Sequence, residues 1–153
     1  MGMVIVMRGI SGAGKSTHAQ ALKAQALGGV VVSADDYFVQ NGEYQFDSKK
    51  LSQAHRSCFR AFLRALGITR VTERQEPLVI VDNTNTTRAE IAPYVLAAES
   101  YDYRVELIRV TCPIEVAAVH NIHGVSAKDV QDQLARWEEP LPWWTERTVQ
   151  GVA

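Results

Sequence analysis

A glycine-rich stretch near the N-terminus, residues 9–17, constrains the fold of this chain more than any other feature. It reads GISGAGKST and matches the pattern G-x-x-x-x-G-K-[ST]. The apolar run at residues 3–7 predicts a short buried strand before it, and the segment from about residue 16 predicts a helix after it. Strand, glycine loop and helix in this order are typical of a loop that binds phosphate through its backbone N–H groups.

The residue types in this loop suit the triphosphate of a nucleotide. Glycine lets the backbone turn tightly and approach a ligand closely, because it has no Cβ. Lys15 is expected to reach the β- and γ-phosphates of ATP, and Ser16 to hold Mg²⁺. The alternative is a glycine-rich turn between a strand and a helix of another α/β fold. The predicted nucleotide-binding residues are Gly9, Ser11, Gly12, Ala13, Gly14, Lys15, Ser16 and Thr17.

The rest of the chain alternates predicted strands and helices. Strands are predicted at 30–33, 78–81 and 103–110, with a short fifth strand near 147–150. Helices are predicted at 16–27, 48–66, 114–121 and 127–138, and residues 38–46 form a predicted loop around Asn41-Gly42. Alternation of this kind predicts an α/β, three-layer P-loop NTPase fold, in which helices cover both faces of a parallel sheet of four or five strands.

One further helix is predicted up to about residue 100, and its start is ambiguous. Thr87 and Glu90 have the spacing of a capping box, which places the first turn before Pro93. Proline in a helix interior removes a hydrogen bond. Either the helix begins later, with Pro93 in its first turn, or Pro93 kinks it.

Length and composition predict one domain, residues 1–153, because no linker or repeat interrupts the 153 residues. No apolar run reaches the length of a membrane span, so we expect no membrane partner and a cytoplasmic location. Cys58 and Cys112 lie far apart, form no CxxC pair and are expected to be buried, reduced thiols. The sequence does not indicate an oligomeric state.

Positive charge is concentrated in the middle of the chain. Residues 48–75 carry a net charge of +6, whereas the whole chain carries −1. The periodicity of the predicted helix 48–66 separates a basic face, with Lys49, Arg56, Arg60 and Arg64, from a buried face. The basic face either contacts the phosphates of an anionic partner or is an ordinary solvated face. The predicted buried face consists of Leu51, Ala54, Phe59, Phe62, Leu63 and Leu66.

Carboxylates follow two of the predicted strands. The pair Asp35-Asp36 comes after the second strand and Asp82 after the third. Parallel sheets bind ligands at the carboxyl ends of their strands, so these residues are expected to share one edge with the glycine loop. Asp35 is the candidate general base for a hydroxyl aimed at the γ-phosphate. Asp36 takes part in the site or caps a turn, and Asp82 contacts Mg²⁺ through water, fixes Ser16, or forms a turn together with Asn83 or Asn85.

The motifs of the chain, taken in order, resemble those of one kinase family. GISGAGKST, SADDYF, NGEYQFD, VIVDNTNT, NIHGVS and QLARWE are similar to the small P-loop kinases grouped with the polynucleotide 5′-hydroxyl kinase domain and the zeta toxins. The resemblance extends to about Trp137. It implies that Lys15 and Ser16 bind ATP and Mg²⁺, that Asp35 activates a 5′-hydroxyl, and that Asp82 organises the site. It also implies a single-stranded or terminal nucleic acid as the hydroxyl acceptor.

Two positions depart from the family pattern. Such kinases carry a lid arginine before the asparagine of the N-x-H-G segment, where this chain has His120. Arg136 is the predicted catalytic replacement, with His123 and Lys128 as the alternatives. Such kinases also place an arginine after the DDY motif, where this chain has Phe38. The predicted substrate-binding residues are Asp36, Asp82, Asn85, His55 and Arg56.

Some side chains have a structural and a functional interpretation. His55 either packs against its neighbours or contacts substrate. The three tryptophans, Trp137, Trp143 and Trp144, either stack on a base or close the core over the C-terminal helix.

Three functions are compatible with the sequence. The first is an ATP-dependent kinase of nucleic-acid 5′-hydroxyls, and the second is a kinase of a small hydroxyl compound such as a nucleoside, sugar acid or antibiotic. The third is a non-catalytic nucleotide-binding module that regulates a partner.

Overall fold

The computed structural model describes residues 1–26, 28–69, 76–121 and 123–151. The strands are β1 (Met3–Arg8), β2 (Val30–Val32), β3 (Val39–Gln40), β4 (Glu43–Tyr44), β5 (Leu78–Asp82), β6 (Arg104–Thr111) and β7 (Glu146–Gln150). The larger sheet has the strand order β2-β5-β1-β6-β7, and every neighbouring pair is parallel. The smaller sheet is the antiparallel pair β3-β4.

Helices cover both faces of the larger sheet. Short 3₁₀ helices at Ala34–Phe38 and Ser48–Lys50 connect β2 to the smaller sheet and the smaller sheet to the second α-helix. Most of the helices begin and end within a few residues of their predicted bounds. The α-helices are α1 (Lys15–Gln25), α2 (Leu51–Thr69), α3 (Arg88–Ser100), α4 (Ile114–Val119) and α5 (Ala127–Ala135).

Two apolar clusters, one on each face, hold these layers together. On one face Phe62 of α2 and Ile91 of α3 pack with Val6 and other valines of the sheet. On the other face small residues of α1, α4 and α5 pack against Met7 and Ile108. Side chains alternate between the faces of a strand, so β1 supplies both clusters. The predicted three-layer α/β fold with a parallel sheet is confirmed, and the predicted short fifth strand is β7.

The start of α3 decides between the two predicted alternatives. Thr87 is the N-cap, and its hydroxyl accepts a hydrogen bond from the Glu90 N–H at 3.3 Å. The helix therefore begins at Arg88 and contains Pro93. The later start is wrong because the capping residues favour the earlier one.

Three local predictions are corrected. Residues 38–46 are not a plain loop but contain the β3-β4 hairpin, because Asn41 and Gly42 adopt positive φ values of 52° and 80° and turn the chain between short strands. Helix α2 continues past Gly67 to Thr69. Leu51 is 42% exposed rather than buried, since it is the first residue of α2.

The thiols and tryptophans have mainly structural surroundings. Cys58 is buried, as predicted, whereas Cys112 is only partly buried, so its prediction as a buried thiol is corrected. Trp144 packs against the core, while Trp143 is 75% exposed. Within the described residues, no helix combines the length and the apolar character needed to cross a membrane.

A fully buried arginine ties the larger sheet to the C-terminal segment. Arg8, the last residue of β1, is 0% exposed. Its guanidinium donates to Glu146 at 2.6 Å and to the carbonyls of Asn85 and Glu138 at 2.9 Å and 2.6 Å. It also lies over the Trp137 ring, 4.2 Å from the centroid. Because Arg8 directly precedes the glycine loop, these contacts fix the start of that loop.

Candidate active site

The glycine loop is a tight cradle between β1 and α1. Gly12 and Gly14 have φ values of 83° and 96°, which disfavour any residue with a side chain. A Cβ on Gly12 would lie 2.0 Å from the Ala117 carbonyl oxygen of α4. Gly14 is the N-cap of α1, so the positive end of the helix faces the loop.

Lys15 lies inside this cradle. Its ammonium group donates to the Ile10 carbonyl at 2.9 Å, and the residue is buried. Burial lowers the pKa of Lys15 from its ordinary value, and the nearby carboxylates of Asp82 and Asp35 raise it in part. A buried ammonium group is costly unless an opposite charge compensates it. An anionic ligand in the loop would supply that compensation.

Ser16 and Asp82 form the second element of the site. The Ser16 hydroxyl donates to a carboxylate oxygen of Asp82 at 2.6 Å, so Asp82 fixes Ser16, as one of the predicted alternatives has it. Asp82 ends β5, the strand next to β1 in the sheet. A hydroxyl and a carboxylate are oxygen ligands of the kind that Mg²⁺ prefers, so these residues fit the ion.

The burial of Asp82 leads to a prediction for Asp82→Asn. Burial raises the pKa of Asp82 above its ordinary value, although Ser16 and Lys15 lower it in part. The folded chain therefore binds this proton more readily than the unfolded chain, and stability falls as the pH rises through the raised pKa. Asp82→Asn is expected to melt at a higher temperature than the wild type at neutral pH and to bind Mg²⁺–ATP about 10- to 100-fold more weakly.

Thermal melts between about pH 5 and pH 8, together with nucleotide titrations, measure both effects of Asp82→Asn. A lower melting temperature with undiminished affinity for Mg²⁺–ATP would contradict this account of Asp82. Asp132→Asn, which removes an exposed carboxylate on α5, is the matched control because it changes the net charge equally.

Asp35 is held at the same edge by local contacts. The Ser33 hydroxyl caps the 3₁₀ helix by accepting from the Asp35 N–H at 3.2 Å. The Asn83 side chain accepts from the Ala34 N–H at 2.8 Å, which ties the segment after β2 to the segment after β5. Asp35 therefore lies near the glycine loop because the ends of β2 and β5 are neighbours. The negative charge of Asp35 raises the pKa of Lys15 in part.

The Asp35 carboxylate has a partner at each oxygen. The Tyr44 hydroxyl donates to one oxygen at 3.1 Å, and the His123 Nε2 lies 3.5 Å from the other. The Asp35 side chain is nevertheless 50% exposed, which leaves room for a ligand. Sequence reasoning missed Tyr44, because a tyrosine in a turn region carries no signal of its own.

The remaining predicted substrate residues lie in different surroundings. Asp36 as a whole residue is exposed, although partial desolvation of its carboxyl group raises the pKa of that group. His55 and Arg56 are exposed on α2, so the packed alternative for His55 is wrong. Asn85 is 2% exposed and donates to the Met7 carbonyl at 2.8 Å. Its predicted substrate contact is corrected to a structural role, because both its side chain and its carbonyl bind β1.

Helix α5 contacts the glycine loop through one of its side chains, and Arg136 directly follows this helix. The Arg136 Nε donates to the Thr86 hydroxyl at 3.1 Å, and His120 is exposed at the end of α4. Gln133 of α5, which sequence reasoning missed, accepts from the Ser11 N–H and donates to the Ser11 hydroxyl, both at 2.9 Å. Trp137 stacks under Arg8 and has a structural role.

Two human proteins contain segments similar to this chain. NEDD4-binding protein 2 from Homo sapiens is 35% identical over an alignment 144 residues long, and the match covers 90% of this chain and 8% of that protein. YLP motif-containing protein 1 from Homo sapiens is 23% identical over an alignment 159 residues long, and the match covers 89% of this chain and 7% of that protein. The chain thus spans less than a tenth of the length of these curated relatives.

Solved structures of P-loop proteins share the fold. Kti12 from Chaetomium thermophilum, solved with ADP-AlF3, has a TM-score of 0.70 at 18% identity over 96% of this chain and 87% of that chain. The APS kinase CysC of Mycobacterium tuberculosis, solved with AMPPNP and APS, has a TM-score of 0.62 at 16% identity, and the match covers 96% of this chain and 88% of that chain. A gluconokinase from Sinorhizobium meliloti 1021 has a TM-score of 0.60 at 21% identity, and the match covers 99% of this chain and 83% of that chain.

One family model spans the whole site. The model of the AAA domain family (AAA_33) matches residues 4–140, from β1 to the segment beyond α5. The matched range includes the glycine loop, Asp35, Asp82 and Gln133. The chain therefore belongs to this AAA domain family and has its kinase-like P-loop fold.

Proposed function

We propose that the protein is an ATP-dependent phosphotransferase that moves the γ-phosphoryl group of ATP to a hydroxyl, most specifically the 5′-hydroxyl of a nucleic acid. The observation that carries the proposal is the position of Asp35. Its carboxylate lies at the same sheet edge as the glycine loop and acts electrostatically on Lys15, while half of it stays exposed.

The nucleotide side of the proposal rests on the loop. The glycines, the N-terminus of α1 and the buried Lys15 form a site for the phosphates of ATP. ADP-AlF3 in Kti12 and AMPPNP in the APS kinase are bound by proteins of the same fold, which supports this ligand class. Ser16 and Asp82 would hold Mg²⁺, and the ion would neutralise charge on the phosphates.

Transfer requires a proton to leave the acceptor hydroxyl. In the proposed step Asp35 accepts that proton, the acceptor oxygen bonds to the γ-phosphorus, and the bond from this phosphorus to the β–γ bridging oxygen breaks to release ADP. Lys15 stabilises negative charge on the β- and γ-phosphates. Positioning and charge neutralisation supply most of the rate in such reactions.

The basic face of α2 favours a nucleic acid as acceptor. Helix α2 packs on the segment that carries Asp35, and the Tyr37 hydroxyl donates to Gln53 of α2 at 2.8 Å. The range 48–69 contains no acidic residue, and its arginines at 56, 60 and 64 are all exposed. Residues four apart on a helix rise by about 6 Å, so these arginines form a row that starts beside the acceptor segment. Such a row would contact successive phosphates of a strand.

Arg60→Glu is expected to raise the KM for a 5′-hydroxyl oligonucleotide by about tenfold and to flatten its dependence on salt, because one phosphate contact is lost and a repulsion is gained. The KM for ATP should stay unchanged. Steady-state kinetics at several salt concentrations measure this effect. Lys23→Glu makes the same change of sign on exposed α1 and is expected to have no effect. If the variant has the same oligonucleotide kinetics as the wild type, the arginine row is an ordinary solvated helix face and does not contact the acceptor.

One observation favours a small hydroxyl compound instead. Phe38 occupies the position where the polynucleotide kinases carry a phosphate-gripping arginine, and it is 2% exposed in the core. No cation therefore reaches an acceptor phosphate from that position. A kinase of a nucleoside, sugar acid or antibiotic needs no such contact.

An acceptor screen distinguishes these functions. The protein is incubated with γ-labelled ATP and Mg²⁺, with 5′-hydroxyl oligonucleotides, with nucleosides and sugar acids, or with no acceptor. Label on the oligonucleotide supports the proposal, and label on a small compound alone supports the second candidate. Bound ATP without transfer to any acceptor would indicate a non-catalytic module and contradict the proposal.

A further inference from the structure

Two aromatic side chains enclose the Asp35 carboxylate. Tyr44 belongs to β4, and His123 to the turn between α4 and α5. Their ring centroids are 4.2 Å apart with an angle of 36° between the planes, and each side chain contacts a different oxygen of Asp35. Tyr44 lies nine residues after Asp35, whereas His123 comes from a distant segment of the chain, and both meet at the proposed base.

Both partners are themselves anchored. The Tyr44 ring packs edge-on against Phe38, with centroids 6.1 Å apart, and Phe38 is a core residue. The His123 N–H donates to the Asn121 side chain at 3.2 Å, and that side chain donates to the Val125 carbonyl at 2.8 Å. Tyr44 and His123 therefore each have a further contact besides the half-exposed Asp35 side chain.

We propose that Tyr44 is a positioning residue for phosphoryl transfer: its hydroxyl holds the Asp35 carboxylate in the orientation that receives the acceptor proton, and His123 supports the other oxygen. This inference rests on the proposed role of Asp35. Each carboxylate oxygen offers two acceptor sites, so the bond from Tyr44 leaves a site for the acceptor hydroxyl. A carboxylate held in one orientation avoids the loss of rate that follows when reacting groups are slightly misplaced.

The state of the Tyr44 hydroxyl suits this role. Burial, and then the neighbouring Asp35, raise the pKa of Tyr44 well above its usual range. Tyr44 therefore keeps its proton at neutral pH and remains a donor. The His123 contact is longer at 3.5 Å, so its contribution is the smaller one.

Tyr44→Phe tests the inference because it removes the hydroxyl and keeps the ring that packs on Phe38 and His123. Its kcat is expected to fall about tenfold, with the KM values for ATP and acceptor unchanged. His123→Phe should lower kcat about threefold. Tyr37→Phe is the matched control, because the Tyr37 hydroxyl binds Gln53 and not Asp35, and it should retain the wild-type kcat.

A double-mutant cycle separates positioning from a general structural effect. If Tyr44 acts through Asp35, adding Tyr44→Phe to Asp35→Asn causes no further loss of the residual rate. A tenfold loss in both backgrounds, or a Tyr44→Phe variant with wild-type kcat, would overturn the inference and leave the proposed function intact. A wild-type protein that transfers phosphate to no acceptor would overturn both.

Discussion

Asp35→Asn is expected to lower the kcat of phosphoryl transfer by about 10³-fold while the affinity for ATP stays close to that of the wild type. A positioned general base contributes about 10²- to 10⁴-fold, and asparagine keeps the size of the side chain but cannot accept the proton. Lys15, Ser16 and Asp82 hold the nucleotide and are untouched by the change. Single-turnover transfer of label and separate titration with ATP measure the two quantities.

Asp132→Asn is the control for this experiment. Asp132 is an exposed carboxylate on α5, so its removal changes the net charge equally and should leave kcat unchanged. A rate for Asp35→Asn within a few-fold of the wild type would contradict the assignment of Asp35 as the base. An equal loss of ATP affinity would instead indicate that Asp35 helps to build the nucleotide site.

Arg8→Met is expected to give the largest loss of stability, about 3–5 kcal/mol of the free energy of unfolding. The change removes a fully buried guanidinium and leaves the Glu146 carboxylate, whose side chain is 10% exposed, without its partner. The carbonyls of Asn85 and Glu138 lose a donor as well. A buried polar group that loses its partner costs its full desolvation free energy.

Urea denaturation of Arg8→Met, with its midpoint and slope, measures this loss. Arg109→Met is the matched control, because Arg109 also lies over the Trp137 ring, at 4.6 Å, but its ion pair with Glu139 is exposed. Exposed pairs and cation–π contacts are each worth about 1 kcal/mol or less. Equal losses in the two variants would show that the buried network around Arg8 is not a main support of the fold.

The sequence predicted the glycine loop and the sheet well because both depend on local patterns. Apolar runs of strand length precede the loop, Asp35 and Asp82, and the carboxyl ends of parallel strands meet at one edge. Ser126 and Thr87 were recognisable as caps for the same reason, since a cap and its partner lie three residues apart. The short hairpin escaped prediction, although Asn41-Gly42 is a hairpin turn, because its strands have only two residues each.

Two features that sequence reasoning missed, the Gln133 contact and the Arg8 ion pair, depend on contacts between distant segments. Gln133 lies 122 residues from Ser11, and Glu146 lies 138 residues from Arg8. No spacing rule in the sequence links such pairs. The residues next to an arginine in the sequence also do not reveal whether its side chain at a strand end is buried or exposed. Asn85 was misassigned for a related reason: asparagine after a strand suits a binding loop, yet here the side chain binds the β1 backbone.

The most direct test of the central proposal is a crystal structure with a non-hydrolysable ATP analogue, Mg²⁺ and a 5′-hydroxyl oligonucleotide. The proposal predicts the terminal phosphate in the glycine loop with the acceptor oxygen between it and Asp35. The oxygen should lie about 3 Å from both the carboxylate and the phosphorus. A complex in which the Asp35 carboxylate is turned away from the terminal phosphate, with no space for an alcohol between them, would contradict the account.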